Sequence, residues 1–431
     1  MKTIVSMATP AGNSGVAVIR ISGEKSKEVL QKLIKQDFDF EPRKMYLKNV
    51  YFGNLIDKCL VVFFRAPFSF TGEDVTEIHS HGGYYIAQQI IDECVNLGCS
   101  LAEAGEFSKR AFINGKMSID QAEGIMDLIN AESEMQAKAG SSLMQGKLKQ
   151  KIDEYQNTLT EILAEIEAKL DYPEYEYTEN ETSNIKSKLQ NLIEEFSSLI
   201  SESKNGLMIK NGIKVAIVGA PNVGKSSLLN ALTKSDKAIV TNIAGTTRDI
   251  VEAEYEFNGI IFRLFDTAGI HESDDIVERI GIDKALKTID DADLVLKVSS
   301  PDNICDIITD KPFIEVFNKT DVLKGERDKK YFYVSATNNE NIDSLKQEIF
   351  NRTISDSLKS DILYLTNTRH IEAIKQAKES LKNVISIFDF TTMDIVSAEI
   401  KDAWNSLGEV SGVTSDEAII DKIFSKFCLG K

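Results

Sequence analysis

The period of the hydrophobic positions changes three times along this chain. Through residues 1–117, Val16 to Ile21 and Leu60 to Phe64 are short β-branched or aromatic runs bounded by turn residues. They read as strands, the first closed by Ser22-Gly23. Val29, Leu30, Leu33 and Ile34 recur at helical spacing, and so do Ile86, Ile90, Ile91 and Val95 after Gly82-Gly83. This part is mixed α and β. From 118 to 205 the period is helical throughout. Ser118 with Gln121 three residues later fits a capping box, and Ile119, Ala122, Ile125, Met126 and Ile129 follow on one stripe. No proline intervenes before Pro173, which predicts one very long helix or two stacked ones, broken at Tyr172-Pro173. A further helix carries Ile185, Leu189, Leu192, Ile193, Phe196, Leu199 and Ile200, and Gly206 and Gly212 are expected to end it.

Residues 213–350 alternate strand and helix, the pattern of a parallel-sheet α/β domain. Strands are expected at Val215 to Val218, Leu294 to Val298, Phe313 to Phe317 and Tyr331 to Val334. A hairpin, Val251 to Phe257 and Ile260 to Phe265, turns at Asn258-Gly259. Residues 360–431 are helical again. Ile371, Ile374, Leu381, Val384, Ile385 and Phe388 form one stripe. Thr414 and Glu417 fit a second capping box ahead of Ile419, Ile420, Ile423, Phe424 and Phe427. The simplest arrangement is one helical domain made of two stretches with the α/β domain inserted. Boundaries fall at 1–117, 118–212, 213–355 and 356–431.

Composition narrows the function. The 431 residues suffice for about three domains. With 42% apolar and 27% charged residues, wholesale disorder is excluded. The net charge of −17 excludes a global basic face for nucleic acid, so any nucleic acid must meet a local patch or a partner's charge. Five scattered cysteines, without a Cys-x-x-Cys pair, exclude a disulfide framework or zinc ribbon. No apolar run reaches the roughly 18–20 residues of a membrane span, and the first residues lack an apolar signal core. A soluble, cytoplasmic protein is expected. The acid-rich window 161–181 reads as a solvated face and loop. Glu77, His79 and His81 read as a hydrogen-bonded cluster on one strand face rather than a metal site.

Gly219-Ala220-Pro221-Asn222-Val223-Gly224-Lys225-Ser226 matches GxxxxGK[ST] between a predicted strand and a predicted helix. The glycines let backbone N–H groups curl around phosphate, Lys225 reaches the β- and γ-phosphates, and Ser226 ligates Mg²⁺. The partners follow in order. Asp266-Thr267-Ala268-Gly269 ends the second hairpin strand, where the carboxylate holds the Mg²⁺ shell and the Gly269 N–H senses the γ-phosphate. Asn318-Lys319-Thr320-Asp321 ends another strand. Asp321 can accept from guanine N1–H and its 2-amino group, a pair adenine lacks. Ser335-Ala336-Thr337 supplies backbone donors near guanine O6. Together these predict a GTP hydrolase. Ile270, where many GTPases place a water-orienting glutamine, can neither donate nor accept. Glu278, eight residues on, reads on sequence alone equally well as a surface acid.

Beyond these motifs, several blocks resemble a single family. They are Ala8-Thr9-Pro10 and Gly15 to Gly23, Thr71-Gly72-Glu73-Asp74, His81-Gly82-Gly83, Ala104 to Phe112, Gln121-Ala122-Glu123 and the terminal Cys428-Leu429-Gly430-Lys431. The chain resembles the tRNA-modification GTPases of the MnmE family, also called TrmE. The resemblance implies a multidomain α/β and α+β fold: a Ras-like P-loop GTPase domain inserted in a discontinuous helical domain, behind an N-terminal α+β folate-binding and dimerisation domain. It implies a homodimer pairing with an FAD-dependent MnmG (GidA)-type flavoprotein, as a heterotetramer. The pair would install a (carboxymethyl)aminomethyl group on C5 of the wobble uridine, U34, of certain tRNAs. A 5-formyltetrahydrofolate or related folate would lie on Arg20, Glu77, Lys116 and Lys431.

The resemblance also implies potassium activation. Asn222, Thr241, Ile243 and Thr246 would ligate K⁺, and Thr247 would join Ser226 on Mg²⁺. Asn242, Ala244 and Gly245 complete the switch loop, and Val223, Gly224 and Ser227 complete the phosphate loop. Glu278 would orient the attacking water and, with Lys225, carry the catalysis. A ribosome-assembly or RNA-binding switch would need a basic appendage, and a dynamin-like membrane GTPase an apolar insertion segment; neither is evident.

Overall fold

A computed structural model of the chain describes residues 1–171, 178–234, 253–266, 287–323, 327–354, 365–428 and 430. The chain divides into two units. Met1–Met126, Leu143–Glu176 and Ile387–Lys431 form one; Asp127–Ser142 and Tyr177–Ser386 form the other.

In the first unit, β1 (Ile4–Met7), β2 (Val16–Ser22), β3 (Tyr46–Phe52), β4 (Leu55–Phe64), β5 (Val75–His81) and β6 (Ser100–Leu101) make a sheet of order β3-β4-β5-β2-β1-β6. Only the β1–β6 pair is parallel. Period-2 alternation in β2 buries Ala17, Ile19 and Ile21 and leaves Arg20 on the other face. The buried side packs on α1 (Ser26–Leu33) and α2 (Tyr84–Asn96). The α2 stripe is Ala87, Ile90, Ile91 and Cys94, whereas Val95, expected in it, is exposed, because it lies a further 100° round the helix. A third helix, α3 (Glu106–Ile113), follows β6.

Three helices, rather than one or two, fill the stretch before Pro173: α4 (Ile119–Ile129), α5 (Glu134–Met144) and α6 (Lys147–Asp171). The capping box is half made, with the Ser118 N–H donating to Gln121 Oε1 at 3.0 Å. Ser133 then starts α5 by accepting from the Gln136 N–H, and Gly146, at φ 77°, separates α5 from α6. In the same unit α6 packs along α11 (Met393–Ser411), an element the sequence pattern did not single out. Gln156 Nε2 donates to Trp404 O at 2.9 Å, and Lys401 pairs with Glu167. The last helix, α12, spans Glu417–Phe424 without the expected box: Thr414 Oγ1 donates to Asn405 O instead, and Asp416 occupies the cap position. Phe424 and Phe427 are buried beside Ala122, while Ile419, expected on the stripe, is exposed.

In the second unit, β7 (Ile213–Val218), β8 (Ala253–Phe257), β9 (Ile260–Asp266), β10 (Leu294–Ser299), β11 (Phe313–Phe317) and β12 (Phe332–Tyr333) order as β12-β11-β10-β7-β9-β8. All pairs are parallel except the β8–β9 hairpin. Asn258 (φ 50°) and Gly259 (φ 78°) turn that hairpin, both in the left-handed region that a type I′ turn requires. The core, with Ile213, Val215, Ile217, Leu264, Leu294 and Leu296, packs under α8 (Lys225–Thr233) and α9 (Ile342–Thr353). Helix α7 (Glu179–Asn211) and α10 (Thr368–Ile387) complete the unit's long helices.

Gly206 does not end α7. It sits inside the helix, where a Cβ would lie 2.4 Å from the Leu365 carbonyl oxygen. Only Gly212, at φ 74°, is the terminator. Ala is normally favoured over Gly in a helix interior by about 1 kcal/mol. Here the sign reverses, because the clash is with backbone. Gly206→Ala is expected to destabilise this unit by about 1–3 kcal/mol, checked as a lowered urea midpoint at unchanged m-value.

Candidate active site

The phosphate loop is shaped by close backbone approach. β7 runs through the middle of its sheet and ends at Gly219 (φ 153°), where a Cβ would stand 2.3 Å from Val298 O. Gly224 (φ 94°) admits no Cβ either, which would meet Asn318 Nδ2 at 2.4 Å. Asn222 is left-handed at φ 61°, exposed at the turn. Val223 is fully buried, and Ser227 is exposed in the first turn of α8. That helix starts at Lys225, so its first N–H groups lack intrahelical partners and face the loop. Lys225 is itself buried, with Nζ donating to Gly219 O at 2.9 Å and Ala220 O at 3.3 Å. An ammonium held by two carbonyls can exchange them for phosphate oxygens without moving its stem.

Ser226 Oγ donates to Asp266 Oδ2 at 3.4 Å, across from the end of β9. Asp266 Oδ1 is buried with no hydrogen-bond partner among the described residues. Burial pushes the Asp266 carboxyl above its usual range, an effect that the Lys225 charge and the Ser226 hydrogen bond only partly offset. Mg²⁺ binds few protein oxygens and completes its octahedron with water and phosphate. A hydroxyl beside a carboxylate with one unpaired buried oxygen fits that ion, so Ser226 and Asp266 would hold it. When bound there, Mg²⁺ neutralises charge between the β- and γ-oxygens.

The base-recognition loops are tied to the phosphate loop by one side chain. Asn318, at the end of β11, is 2% exposed. Its Nδ2 donates to Val223 O at 3.0 Å and Gly224 O at 3.4 Å, and its Oδ1 accepts from the Ala336 N–H at 3.1 Å. Ala336 N–H, expected to serve guanine O6, is thus already engaged by Asn318. Ser335, fully buried, donates to Asp321 Oδ1 at 2.6 Å. Asp321 is exposed on a short 3-10 turn, Thr320–Val322, entered through left-handed Lys319; Thr320 is buried and Thr337 exposed. Ser335 therefore orients the carboxylate expected to select guanine. The sequence contained these residues but no signal that Asn318 and Ser335 position their neighbours.

Thr241, Asn242, Ile243, Ala244, Gly245, Thr246, Thr247, Thr267, Ala268, Gly269, Ile270 and Glu278 lie outside the described residues, as does Lys431.

A second cluster lies in the other unit. Arg20 and Glu77 are register partners on β2 and β5, with Arg20 Nε donating to Glu77 Oε1 at 2.9 Å. Glu77 Oε2 is 3.4 Å from His79 Nε2. Burial raises the Glu77 carboxyl, but the His79 and Arg20 hydrogen bonds and charges outweigh it and hold the group below its usual range. His81 points elsewhere, its Nδ1 2.5 Å from Asp57 Oδ1. Among the described residues no His, Cys, Asp and Glu cluster suits a metal. Lys116 is exposed beside Gly72. The tail returns to this sheet: at Gly430 (φ 88°) a Cβ would stand 2.1 Å from Met7 O, next to the Ser6–Arg20 pair.

A parallel sheet whose central strand feeds a phosphate loop, with a Ser–Asp cation pair and an Asn-Lys-x-Asp base loop, defines a GTP-hydrolysing P-loop protein. Residues 3–116 match the family model described as the GTP-binding protein TrmE N-terminus, and residues 119–428 match that of the MnmE helical domain. The chain is 40% identical over 449 residues to the tRNA modification GTPase MnmE of Mesoplasma florum. It is 38% identical over 448 residues to that of Francisella tularensis subsp. holarctica. Each alignment covers 100% of this chain and 99% of the relative. The chain belongs to the MnmE family of tRNA modification GTPases.

Asp266→Asn should separate function from stability. A carboxyl raised in the folded state disfavours folding as pH rises through its pKa, and Asn mimics the protonated form. Without Mg²⁺, the variant is expected to melt at or slightly above wild type at pH 7, the difference shrinking as pH falls through the raised carboxyl pKa and vanishing below about pH 4. Its Mg²⁺-dependent GTP hydrolysis should fall at least about 10²-fold. Calorimetric melts and a phosphate-release assay check both.

Proposed function

We propose that this chain is the potassium-activated GTPase component of a tRNA-modifying complex. As a cytoplasmic homodimer, it works with an FAD-dependent MnmG-type flavoprotein to add a (carboxymethyl)aminomethyl group at C5 of the wobble uridine of certain tRNAs. Arg20, Glu77, Lys116 and Lys431 receive a 5-formyltetrahydrofolate that supplies the one-carbon unit. The observation supporting this most directly is that one chain carries both the Lys225–Ser226–Asp266 constellation and a partly buried Arg20–Glu77 pair beside its own C-terminal tail. A cationic guanidinium and a carboxylate side by side suit a ligand with anionic carboxylates and a pterin edge of N–H donors.

In the hydrolytic step, Lys225 leaves the Gly219 and Ala220 carbonyls for the γ-phosphate, and Asn222, Thr241, Ile243 and Thr246 hold K⁺ against the phosphates. The water is oriented by Glu278, since Ile270 cannot do so. Two G domains meeting face to face would act as the internal activator, and their opening and closing would drive the modification cycle. The domain limits are 1–117, 118–212 with 356–431, and 213–355.

Asn222→Ala is expected to remove the advantage of K⁺ over Na⁺ in hydrolysis rate; an unaltered K⁺ response would put the cation elsewhere. Glu278→Ala is expected to keep GTP affinity within about threefold while hydrolysis falls on the order of 10²–10⁴-fold. Loss of binding instead would make Glu278 structural. The decisive test of the whole is mass analysis of wobble uridine in tRNA from cells lacking the chain, where unchanged modification would refute it.

A further inference from the structure

Two sequence blocks in the N-terminal unit, Thr71-Gly72-Glu73-Asp74 and Ala104 to Phe112, have no role in the hydrolytic site, yet the fold joins them through one side chain. Arg110 of α3 is 5% exposed. Its Nη1 donates to both Glu73 carboxylate oxygens, at 3.2 and 3.0 Å. Its Nε and Nη2 donate to Glu106 Oε1, at 3.2 and 2.6 Å. Each carboxylate has a further donor. Ser22 Oγ donates to Glu73 Oε2 at 2.7 Å, and the Glu103 N–H donates to Glu106 Oε2 at 2.9 Å. One planar fork thus ties the end of β2, the 69–74 loop and α3 together, which a point-charge ammonium cannot do.

Two of the tied segments, the 69–74 loop and α3, each carry an aromatic ring. Phe70 lies three residues before Glu73, and Phe107 directly follows Glu106. Both rings pack with Ile4 and Ala102. The Arg20 guanidinium carbon sits 5.1 Å from the Phe70 centroid and 5.8 Å from that of Phe107. Arg20 and Ser22 are two apart on β2 and share the face opposite the α1–α2 core. The strand is therefore anchored twice on that face, at Ser22 by Glu73 and at Arg20 by Glu77 and the rings. We infer that Arg110 is a positioning residue for the folate site: by clamping Glu73 to Glu106 it sets the Phe70–Phe107 slot that aims the outer nitrogens of Arg20 at an anionic ligand group. This rests on the folate reading above.

The test uses the full-length protein titrated with 5-formyltetrahydrofolate in a calorimeter, with Arg110→Lys, Arg20→Lys and the double variant. Arg110→Lys keeps the charge and loses the fork. It is expected to raise Kd about tenfold, the size of one lost charge-assisted hydrogen bond, with GTP hydrolysis unchanged. Because Arg110 acts through Arg20, the double variant should bind no more weakly than Arg20→Lys alone, a non-additivity that general loosening of the fold would not produce. Additive losses, or an unchanged Kd in Arg110→Lys, overturn the inference. An unchanged Kd in Arg20→Lys is a different result: it overturns the folate reading itself. Should Arg110→Lys fail to fold, Glu106→Gln removes one arm of the clamp at constant shape and must show the same non-additivity with Arg20→Lys.

Discussion

The buried carboxamide of Asn318 holds the nucleotide site together. Its donor end closes on the carbonyls of Val223 and Gly224, and its acceptor end takes the Ala336 N–H. Three loops from three strand ends thereby share one rigid group. The contact is short enough that residue 224 must lack a side chain, and the left-handed φ there makes glycine doubly required. A buried amide satisfied at both ends is held in one orientation, since turning it over would face donor to donor and acceptor to acceptor.

The same economy of polar contact recurs in the N-terminal unit. Its sheet covers one face with α1 and α2; on the other, Arg20, Glu77 and His79 are joined by hydrogen bonds, and Arg20 lies against the rings of Phe70 and Phe107. The C-terminal segment reaches that unit through Phe424 and Phe427, whose rings sit against Ala122, and Gly430 then fits against Met7 only because it has no Cβ. The end of the chain is thus part of the N-terminal fold.

The chain carries a net charge of −17, yet the cations that matter, Lys225, Arg20 and Arg110, are at least partly buried and engaged. Asp266 marks the reverse case. It is a carboxyl kept above its ordinary range by burial, with one oxygen unpaired among the described residues, which is a local cost in stability of the kind found where a cation is to be bound.

Local pattern determined much of this. The phosphate loop, Asp266 at its strand end and the Asn318–Asp321 block were legible because phosphate and guanine recognition need particular residues at fixed spacing beside a strand end. The Asn258-Gly259 hairpin and most strands of the parallel sheet were legible because turn chemistry and apolar runs are short-range properties. What local pattern missed has one cause, contact between segments distant in the chain. Gly206 looked like a helix stop, but it is the place where Leu365 crosses α7. Thr414 looked like a cap, but the Asn405 carbonyl claims its hydroxyl. Strands β1 and β3 and helix α11 take their places from their partners. Sequence determined which groups could bind a nucleotide and in what order they occur. Only the tertiary structure decided that Asn318 would bind the loops together, that Arg110 would clamp two acids, and that the tail would lie against β1, because each depends on distances no local spacing encodes.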